Sequence, residues 1–205
     1  MDYKKTDETF TVTKVQISDL EDAVILPPGK YLMGALCGNQ MWRIPESWAR
    51  ARQGTPSDIF SFGVVVRITR HSILRPYSKL TDIIQSIYVM LNDMVLRASR
   101  DELTAIDSWR HVLRRQISFF GEEDGFQGLL QWIGEENPFF ERLITLAGTF
   151  NAAEPRKPFA TWHFVDAGFR DLLGRMTVLD PARRITAAQA LEHPWFAESD
   201  DEGVL

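Results

Sequence analysis

The chain has 205 residues, 44% of them hydrophobic and 11% aromatic, which is enough apolar material to bury one sizeable core. Its 23 Lys and Arg against 28 Asp and Glu give a net charge of −5, which disfavours nucleic acid or an anionic membrane as a partner. The single cysteine, Cys37, excludes an intrachain disulfide and a Cys-rich zinc site, and it fits a reducing compartment.

The sequence gives no sign of export or of a membrane span. The first ten residues, MDYKKTDETF, are polar and charged, unlike a secretory signal. The longest apolar run, near residues 62–66, ends at Arg67, far short of the roughly 20 residues that a spanning helix needs. These features predict a soluble, intracellular protein of the cytoplasm or nucleus.

The amino-terminal part of the chain predicts strands followed by a helix. Residues 9–26 are rich in Thr, Val and Ile with rough alternation, which predicts one or two short strands ending at the Pro-Pro-Gly turn of residues 27–29. After a loop, Asp58 precedes a run that is apolar on every side. Such a run is typical of a helix in the middle of a core, although its β-branched residues also allow a strand.

Helical periodicity dominates the remainder. Apolar residues recur at helix spacing over 83–95, over 109–120, in the stripe Phe140, Leu143, Ile144 and Ala147, and in the stripe Phe169, Leu172, Leu173 and Met176. Asn137 is the expected N-cap of the third of these helices, with Pro138 at its first position. Thr186 and Gln189 predict a capping box for a last helix, which Pro194 stops.

Four sequence blocks, in chain order, carry a resemblance to a known family. They are VQISDLEDA with Asp19, GNQMWRIPESW with Glu46, SDIFSFGVV with Asp58 and Gly63, and DPARRITAAQALEHPWF with Arg184. The ordered set resembles the carboxy-terminal lobe of a eukaryotic-type protein kinase, most like the divergent kinase-like proteins of fungi. The implied fold is mainly α, with a short β-hairpin or strand at the amino terminus. We expect this lobe to span residues 1–196, followed by an acidic disordered tail over 197–205.

Two acidic residues are the first site candidates. Asp19 stands where the family has the Asp of its Asp-Phe-Gly segment, so the resemblance implies a magnesium ligand, whereas a turn-forming Asp is the alternative. Glu46 matches the Glu of the family's Ala-Pro-Glu motif, and its apolar neighbours predict a cationic partner. The resemblance implies Arg184 as that partner, against the alternative that Glu46 is an ordinary exposed acid.

Three further residues belong to motif positions. Asp58 either caps its own helix or, as the resemblance implies, binds backbone donors of the catalytic loop. Gly63 matches the glycine that closes the same motif. Trp42 and Asn39 stand where the family tends to have Tyr and Thr in the loop that faces the substrate, and these departures leave the peptide specificity open.

The chemistry expected of the family is mostly missing from the sequence. A protein kinase uses a Gly-rich loop, a strand Lys and a His-Arg-Asp loop, together with ATP and Mg²⁺. No Gly-x-Gly occurs among the 13 glycines, and none of the four His is followed by Arg-Asp. Glu21 replaces the glycine of the magnesium segment. We therefore expect no catalytic residues here, and a chain truncated before the catalytic loop that does not bind ATP tightly.

Residues 66–86 have no counterpart in the resemblance. Omitting them would join two apolar flanks into one buried helix, whereas Pro76 must end a helix where it stands. Two interpretations stay open: an insertion, such as an in-frame translated intron, or a family-specific loop followed by a helix from near Leu80. In either case we expect this segment to be the most irregular part of the interior sequence.

The sequence thus predicts a protein-kinase-domain chain whose parent function is ATP-dependent phosphoryl transfer to Ser or Thr of a protein, inactive as it stands. Its expected partner is a protein, as a substrate or as a bound protein. Two alternatives remain: a non-catalytic kinase-like binding module, and a truncated product without a function of its own.

Overall fold

A computed structural model describes residues 2–6, 9–14, 16–17, 20–65, 96 and 98–197. These residues fall into two compact units. The first holds the described residues up to Gly29 together with Val65, and the second holds residues 30–64, 96 and 98–197. The second unit contains most of the predicted site.

The first unit carries a β-hairpin. Strand β1 (Asp2–Thr6) pairs antiparallel with β2 (Thr9–Lys14), with Thr6 opposite Thr9. The second strand confirms the strand predicted from its Thr, Val and Phe content, residue types that favour extended backbone. Its partner, however, comes from the polar residues before it, and no strand is assigned among the described residues of 16–29.

The second unit is helical, as predicted. Its helices are α1 (Pro45–Trp48), α2 (Thr55–Val65), α3 (Arg100–Thr104), α4 (Ser108–Phe120), α5 (Glu123–Ile133), α6 (Phe139–Ala147), α7 (Ala167–Met176), α8 (Ala187–Leu191) and α9 (Pro194–Ala197), with a 3-10 turn at Phe159–Thr161. Residues 30–44 run as loop ahead of α1, and Leu32 forms a single β-bridge with Gln53.

Side chains from five helices form the core of this unit. Buried residues that these helices contribute include Phe60, Val64, Val112, Leu113, Leu129, Leu143, Leu172 and Leu173. The stripe predicted for α7 is confirmed, since Phe169, Leu172, Leu173 and Met176 are buried. The stripe predicted for α4 is confirmed in part: Val112, Leu113, Ile117 and Phe120 are buried, whereas Trp109 is only half-buried. The stripe predicted for α6 is wrong in part: Ile144 is 41% exposed, and Leu146 is buried instead.

Helix α2 is more one-sided than its composition suggests. Phe60, Gly63 and Val64 are buried, but Phe62 is 55% exposed. A Cβ atom on Gly63 would lie 3.0 Å from the Met176 Cβ and 3.1 Å from the Thr177 Cγ2. This glycine therefore lets the backbone of α2 approach the end of α7 closely.

The helix ends follow capping chemistry. The predicted box of α8 is confirmed, because Thr186 and Gln189 exchange side-chain and backbone hydrogen bonds of 3.2 and 2.9 Å. Helix α6 begins at Phe139, one residue later than predicted, and the Asn137 Oδ1 accepts from the Phe139 N–H at 2.9 Å. Helix α8 already ends at Leu191, so that Pro194 begins α9.

Helix α3 opens with a second capping box that links to α4. The Glu102 carboxylate accepts from the Ser99 N–H at 2.7 Å and from the Arg115 Nη2 at 2.9 and 3.0 Å. His111 Nδ1 lies 3.3 Å from the same carboxylate. The hydrogen bond from Arg115, followed by the one from Ser99, holds the pKa of Glu102 below its ordinary value of 4.5.

This depressed pKa predicts a pH dependence of stability. A carboxyl whose pKa is lower in the folded state contributes stability above its unfolded pKa, and that contribution is lost as the pH falls through the folded pKa. Glu102→Gln should therefore lower the free energy of unfolding at pH 7, and its difference from the native chain should shrink from about pH 5 downward. Urea unfolding of the native and variant chains between pH 7 and pH 3 measures this difference in the free energy of unfolding. A difference that does not change with pH would show that ionisation of Glu102 does not contribute to stability.

Several predictions concern residues outside the described ranges. These are the segment 66–86, the helix expected over 83–95, and the tail from residue 198 onward. They remain predictions. Within the described ranges, no helix combines the length and the apolar character needed to cross a membrane.

Candidate functional site

The structure brings Glu46 and Arg184 together, although they are 138 residues apart in the sequence. The guanidinium meets the carboxylate side by side: Nη1 donates to Oε1, and Nη2 donates to Oε2 at 2.8 Å. Both side chains are fully buried. A planar fork facing a carboxylate in this way makes the strongest kind of protein ion pair.

Backbone carbonyls use the remaining donors of Arg184. Nε donates to the Val178 oxygen at 2.7 Å, Nη2 to the Leu179 oxygen at 3.0 Å, and Nη1 to the Pro56 oxygen at 3.2 Å. With the two bonds to the carboxylate, all five N–H groups are engaged. The pair therefore ties three stretches of the chain together: α1, the start of α2, and the loop that follows α7.

The ring of Phe60 covers this pair. The Arg184 guanidinium carbon lies 4.8 Å from the centre of the Phe60 ring, and the ring itself is fully buried. The Ser57 hydroxyl also donates to the Glu46 Oε1 at 3.3 Å. A desolvated and fully hydrogen-bonded pair is costly to break, because either partner alone would be a buried unpaired charge.

The loop before α1 is fixed by its own polar contacts. The Ser47 hydroxyl accepts from the Cys37 N–H at 2.8 Å and donates to the Cys37 oxygen at 3.2 Å. Arg43 donates from Nε to the same oxygen at 3.1 Å and from Nη2 to the Gly38 oxygen at 3.0 Å. Burial is the main cause that lowers the pKa of Arg43, and the positive charge of Arg50 lowers it further, against an opposing effect of Cys37.

Trp42 and Asn39 lie in this same loop. Asn39 organises a turn, since its Oδ1 accepts from the Met41 N–H and its backbone oxygen from the Trp42 N–H, each at 3.0 Å. The Trp42 oxygen accepts from the Ser61 hydroxyl of α2 at 3.3 Å. Trp42 thus connects the loop to α2 through its backbone, and its side chain is half-buried.

Asp58 lies in the first turn of α2, which begins three residues before it. It is therefore not the residue that precedes the helix, although a negative charge there still suits the helix dipole. The side chain is largely exposed. Partial desolvation raises the pKa of its carboxyl. No described group lies within hydrogen-bonding distance of it, so the predicted contact with a catalytic loop stays a prediction.

The predicted magnesium ligand, Asp19, lies outside the described residues. Around it, Leu20 is 58% exposed, and Glu21 and Asp22 form an exposed turn closed by the Ala23 N–H donating to the Leu20 oxygen at 3.0 Å. Whether this segment holds magnesium therefore stays a prediction.

Comparison with known proteins decides the family. The sequence profile of the protein kinase domain matches residues 4–196. The chain belongs to the protein kinase domain family. Two similar relatives come from Arabidopsis thaliana: CDPK-related kinase 5, 31% identical over 64% of this chain, and CDPK-related kinase 8, 30% identical over 60%. Calcium-dependent protein kinase 21 of Oryza sativa subsp. japonica is 26% identical over 76%.

These relatives are much longer than the kinase-domain chain itself. The matched part spans 19% of the first, 18% of the second and 24% of the third. The activities of those whole proteins are therefore not transferred to this chain by similarity alone.

Sequence reasoning missed two polar residues that hold this part of the kinase domain. Gln116 of α4 is fully buried and donates from Nε2 to the Arg43 oxygen at 2.8 Å. Asn137 donates from Nδ2 to the Ala49 oxygen at 2.9 Å. A Gln within the otherwise apolar face of a predicted helix was the only available signal for the first. For Asn137 the sequence predicts only the role of a helix cap.

Proposed function

We propose that this chain acts as the carboxy-terminal lobe of a Ser/Thr protein kinase domain, one that presents its surface to a protein partner and does not itself transfer phosphate. The Glu46–Arg184 pair is the observation that carries this proposal. It ties α1, which follows the loop 37–43, to the start of α2 and to the loop after α7. In this proposal the loop 37–43 is the part that would face a protein.

The lack of activity follows from what phosphoryl transfer requires. The reaction depends almost wholly on positioning and charge stabilisation, so the parts that hold the phosphates are indispensable. The sequence contains no His-Arg-Asp and no Gly-x-Gly. ATP and Mg²⁺ are the cofactors that the family generally uses, but Asp19 alone would hold Mg²⁺ weakly, because that ion shares its shell with substrate phosphates.

The further assignments rest on the same resemblance. We propose residues 1–196 as the lobe, residues 197–205 as an acidic tail, and residues 66–86 as an insertion or a family-specific loop. The likeness to divergent fungal kinase-like proteins belongs to this proposal. Within a longer protein holding the missing motifs, the same lobe would serve transfer of phosphate from ATP to a protein, as the names of the relatives suggest. Ser or Thr as the acceptor is what the resemblance implies.

The proposal is tested by a phosphate-incorporation assay. The 205-residue chain, with circular dichroism confirming its helical fold, is incubated with radiolabelled Mg-ATP and a generic protein substrate at high enzyme concentration. We expect incorporation no greater than that of a matched Asp19→Ala chain. Turnover that Asp19→Ala abolishes would overturn the proposal. A chain that does not fold would favour the alternative of a truncated product without function.

A further inference from the structure

Three arginines surround one short loop in the second unit. Arg43 and Arg50 donate to backbone oxygens of residues 34–38, and Arg52 lies over the ring of Tyr31. All three lie at least partly in solvent. The stretch from Tyr31 to Gly38 thus runs between guanidinium groups that are already fixed in place.

Arg50 is held in an unusual backbone conformation. Its φ of +52° is the one positive value at a non-glycine residue among the described ranges. Its Nη1 donates to the Gly34 oxygen, and its own backbone oxygen accepts from the Gly34 N–H at 3.1 Å. A left-handed arginine costs backbone energy, and residues under such strain are concentrated at functional sites.

Arg52 is fixed by aromatic rings. Its guanidinium carbon lies 4.3 Å from the centre of the Trp132 ring and 5.7 Å from that of Tyr31. The Trp132 Nε1 donates to the Arg52 oxygen at 2.9 Å, and the Arg52 Nη2 donates to the Trp132 oxygen at 3.3 Å. A guanidinium stacked in this way loses little further freedom when it binds an anion.

None of the three arginines meets a carboxylate within the part of the chain that the structure describes. Other exposed arginines do: Arg110 lies 3.9 Å from Asp107, and Arg175 lies 2.9 Å from Asp171. Burial is the largest cause that lowers the pKa of Arg43, and repulsion by Arg50 lowers it further. The repulsion is consistent with a local excess of positive charge. The excess stands out in a chain whose net charge is −5.

Apolar side chains accompany the arginines on the same loop. Met33 is 64% exposed, Tyr31 42% and Leu36 40%. A partner for this surface must therefore offer both negative charge and apolar contact. Nucleic acid offers the charge without the aliphatic side chains, whereas an acidic peptide that contains Leu or Ile offers both.

We infer that Arg43, Arg50 and Arg52, with the loop 31–38, form a docking surface for an acidic protein segment that carries aliphatic residues. This inference rests on the proposed function, because it names the chemistry of the partner for the same lobe. Aspartate and glutamate carboxylates accept two hydrogen bonds from the free edge of a guanidinium. The aliphatic residues of the segment cover Met33 and Leu36.

The test is a peptide titration of the full 205-residue chain by fluorescence anisotropy. The probe is a labelled peptide of about a dozen residues, rich in Asp and Glu with two Leu; matched peptides carry Asn and Gln, or Lys, in place of the acids. We expect the acidic peptide to bind at least about tenfold more tightly than either control, and more weakly at high salt, since salt screens exposed charges. Equal binding of the neutral peptide would overturn the inference, and so would preferential binding of an equally charged oligonucleotide.

Variants place the binding on this surface. The triple variant Arg43→Gln, Arg50→Gln, Arg52→Gln should lower the affinity for the acidic peptide at least about tenfold. The control Arg110→Gln should leave that affinity unchanged. If the triple variant unfolds, Arg52→Glu alone supplies the test, because that side chain is exposed. Unchanged binding in a folded variant would contradict the inference. Phosphate incorporation measured on the same samples keeps the two proposals separable, since failed docking leaves that result unaffected.

Discussion

Replacing Glu46 by Gln should remove about 3–5 kcal/mol from the free energy of unfolding, because the substitution leaves the Arg184 charge buried without a counter-charge. Glutamine keeps the size of the side chain, so the loss reports charge rather than a cavity. The amide NH₂ of the glutamine would also stand where one carboxylate oxygen of Glu46 accepts a hydrogen bond from Arg184. Urea unfolding followed by far-ultraviolet circular dichroism measures the change.

Two further variants isolate the buried pair. Glu102→Gln breaks a partly exposed ion pair with Arg115 and should cost no more than about 1 kcal/mol at pH 7. The double variant Glu46→Leu, Arg184→Met removes both charges and should recover part of the loss. Recovery should be incomplete, because the oxygens of Pro56, Val178 and Leu179 lose their donor. A Glu46→Gln chain that loses less than Glu102→Gln would show that the buried pair does not hold the lobe together.

Gly128→Ala should destabilise the chain by about 3 kcal/mol, the upper part of the range for overpacked interiors. A Cβ atom there would lie 2.6 Å from the Asp180 Cβ and closer still to its carboxylate. Asp180 cannot withdraw freely, because its Oδ1 accepts from the Ala182 N–H at 2.9 Å in the loop that leads to Arg184. The substitution should therefore push α5 away from that loop. Thermal unfolding and urea titration both report it.

Gly174→Ala is the matched control for this second prediction. Gly174 lies inside α7, and no neighbouring atom stands within 4 Å of the position that an alanine methyl would occupy, so alanine should stabilise the helix by about 0.5–1 kcal/mol. If the free energy of unfolding falls in Gly128→Ala and rises in Gly174→Ala, the loss at Gly128 is due to close packing and not to helix propensity. If Gly128→Ala were as stable as the native chain, the contact between α5 and Asp180 would not constrain the fold.

Local chemistry made much of the helical fold predictable. The stripes of α4 and α7 and the capping box of α8 follow from residue spacing and side-chain hydrogen bonding within a few positions. The partner of β2 was not predictable in this way, because β1 is polar and lysine-bearing and depends on pairing. In the short helix α6, spacing alone could not decide between Ile144 and Leu146 as the buried residue.

The site depended more on contacts between distant residues. Nothing near Glu46 in the sequence indicates Arg184, and only the order of the family motifs suggested that pair. The stacking of Arg52 on Trp132 joins residues 80 positions apart. The left-handed backbone at position 50 is not predictable from the sequence, because the residue there is arginine and not glycine. Such features arise when the tertiary fold sets a conformation that local preference would not choose.

Calorimetric titration of Mg-ATP into the folded 205-residue chain tests most directly the proposal that this chain does not bind ATP tightly. We predict no saturable heat into the millimolar range, because Asp19 would be the main surviving nucleotide-side residue and Mg²⁺ alone is held weakly by one carboxylate. Asp19→Ala, titrated in parallel, should give an indistinguishable trace. A sub-millimolar dissociation constant that Asp19→Ala removes would contradict the claim.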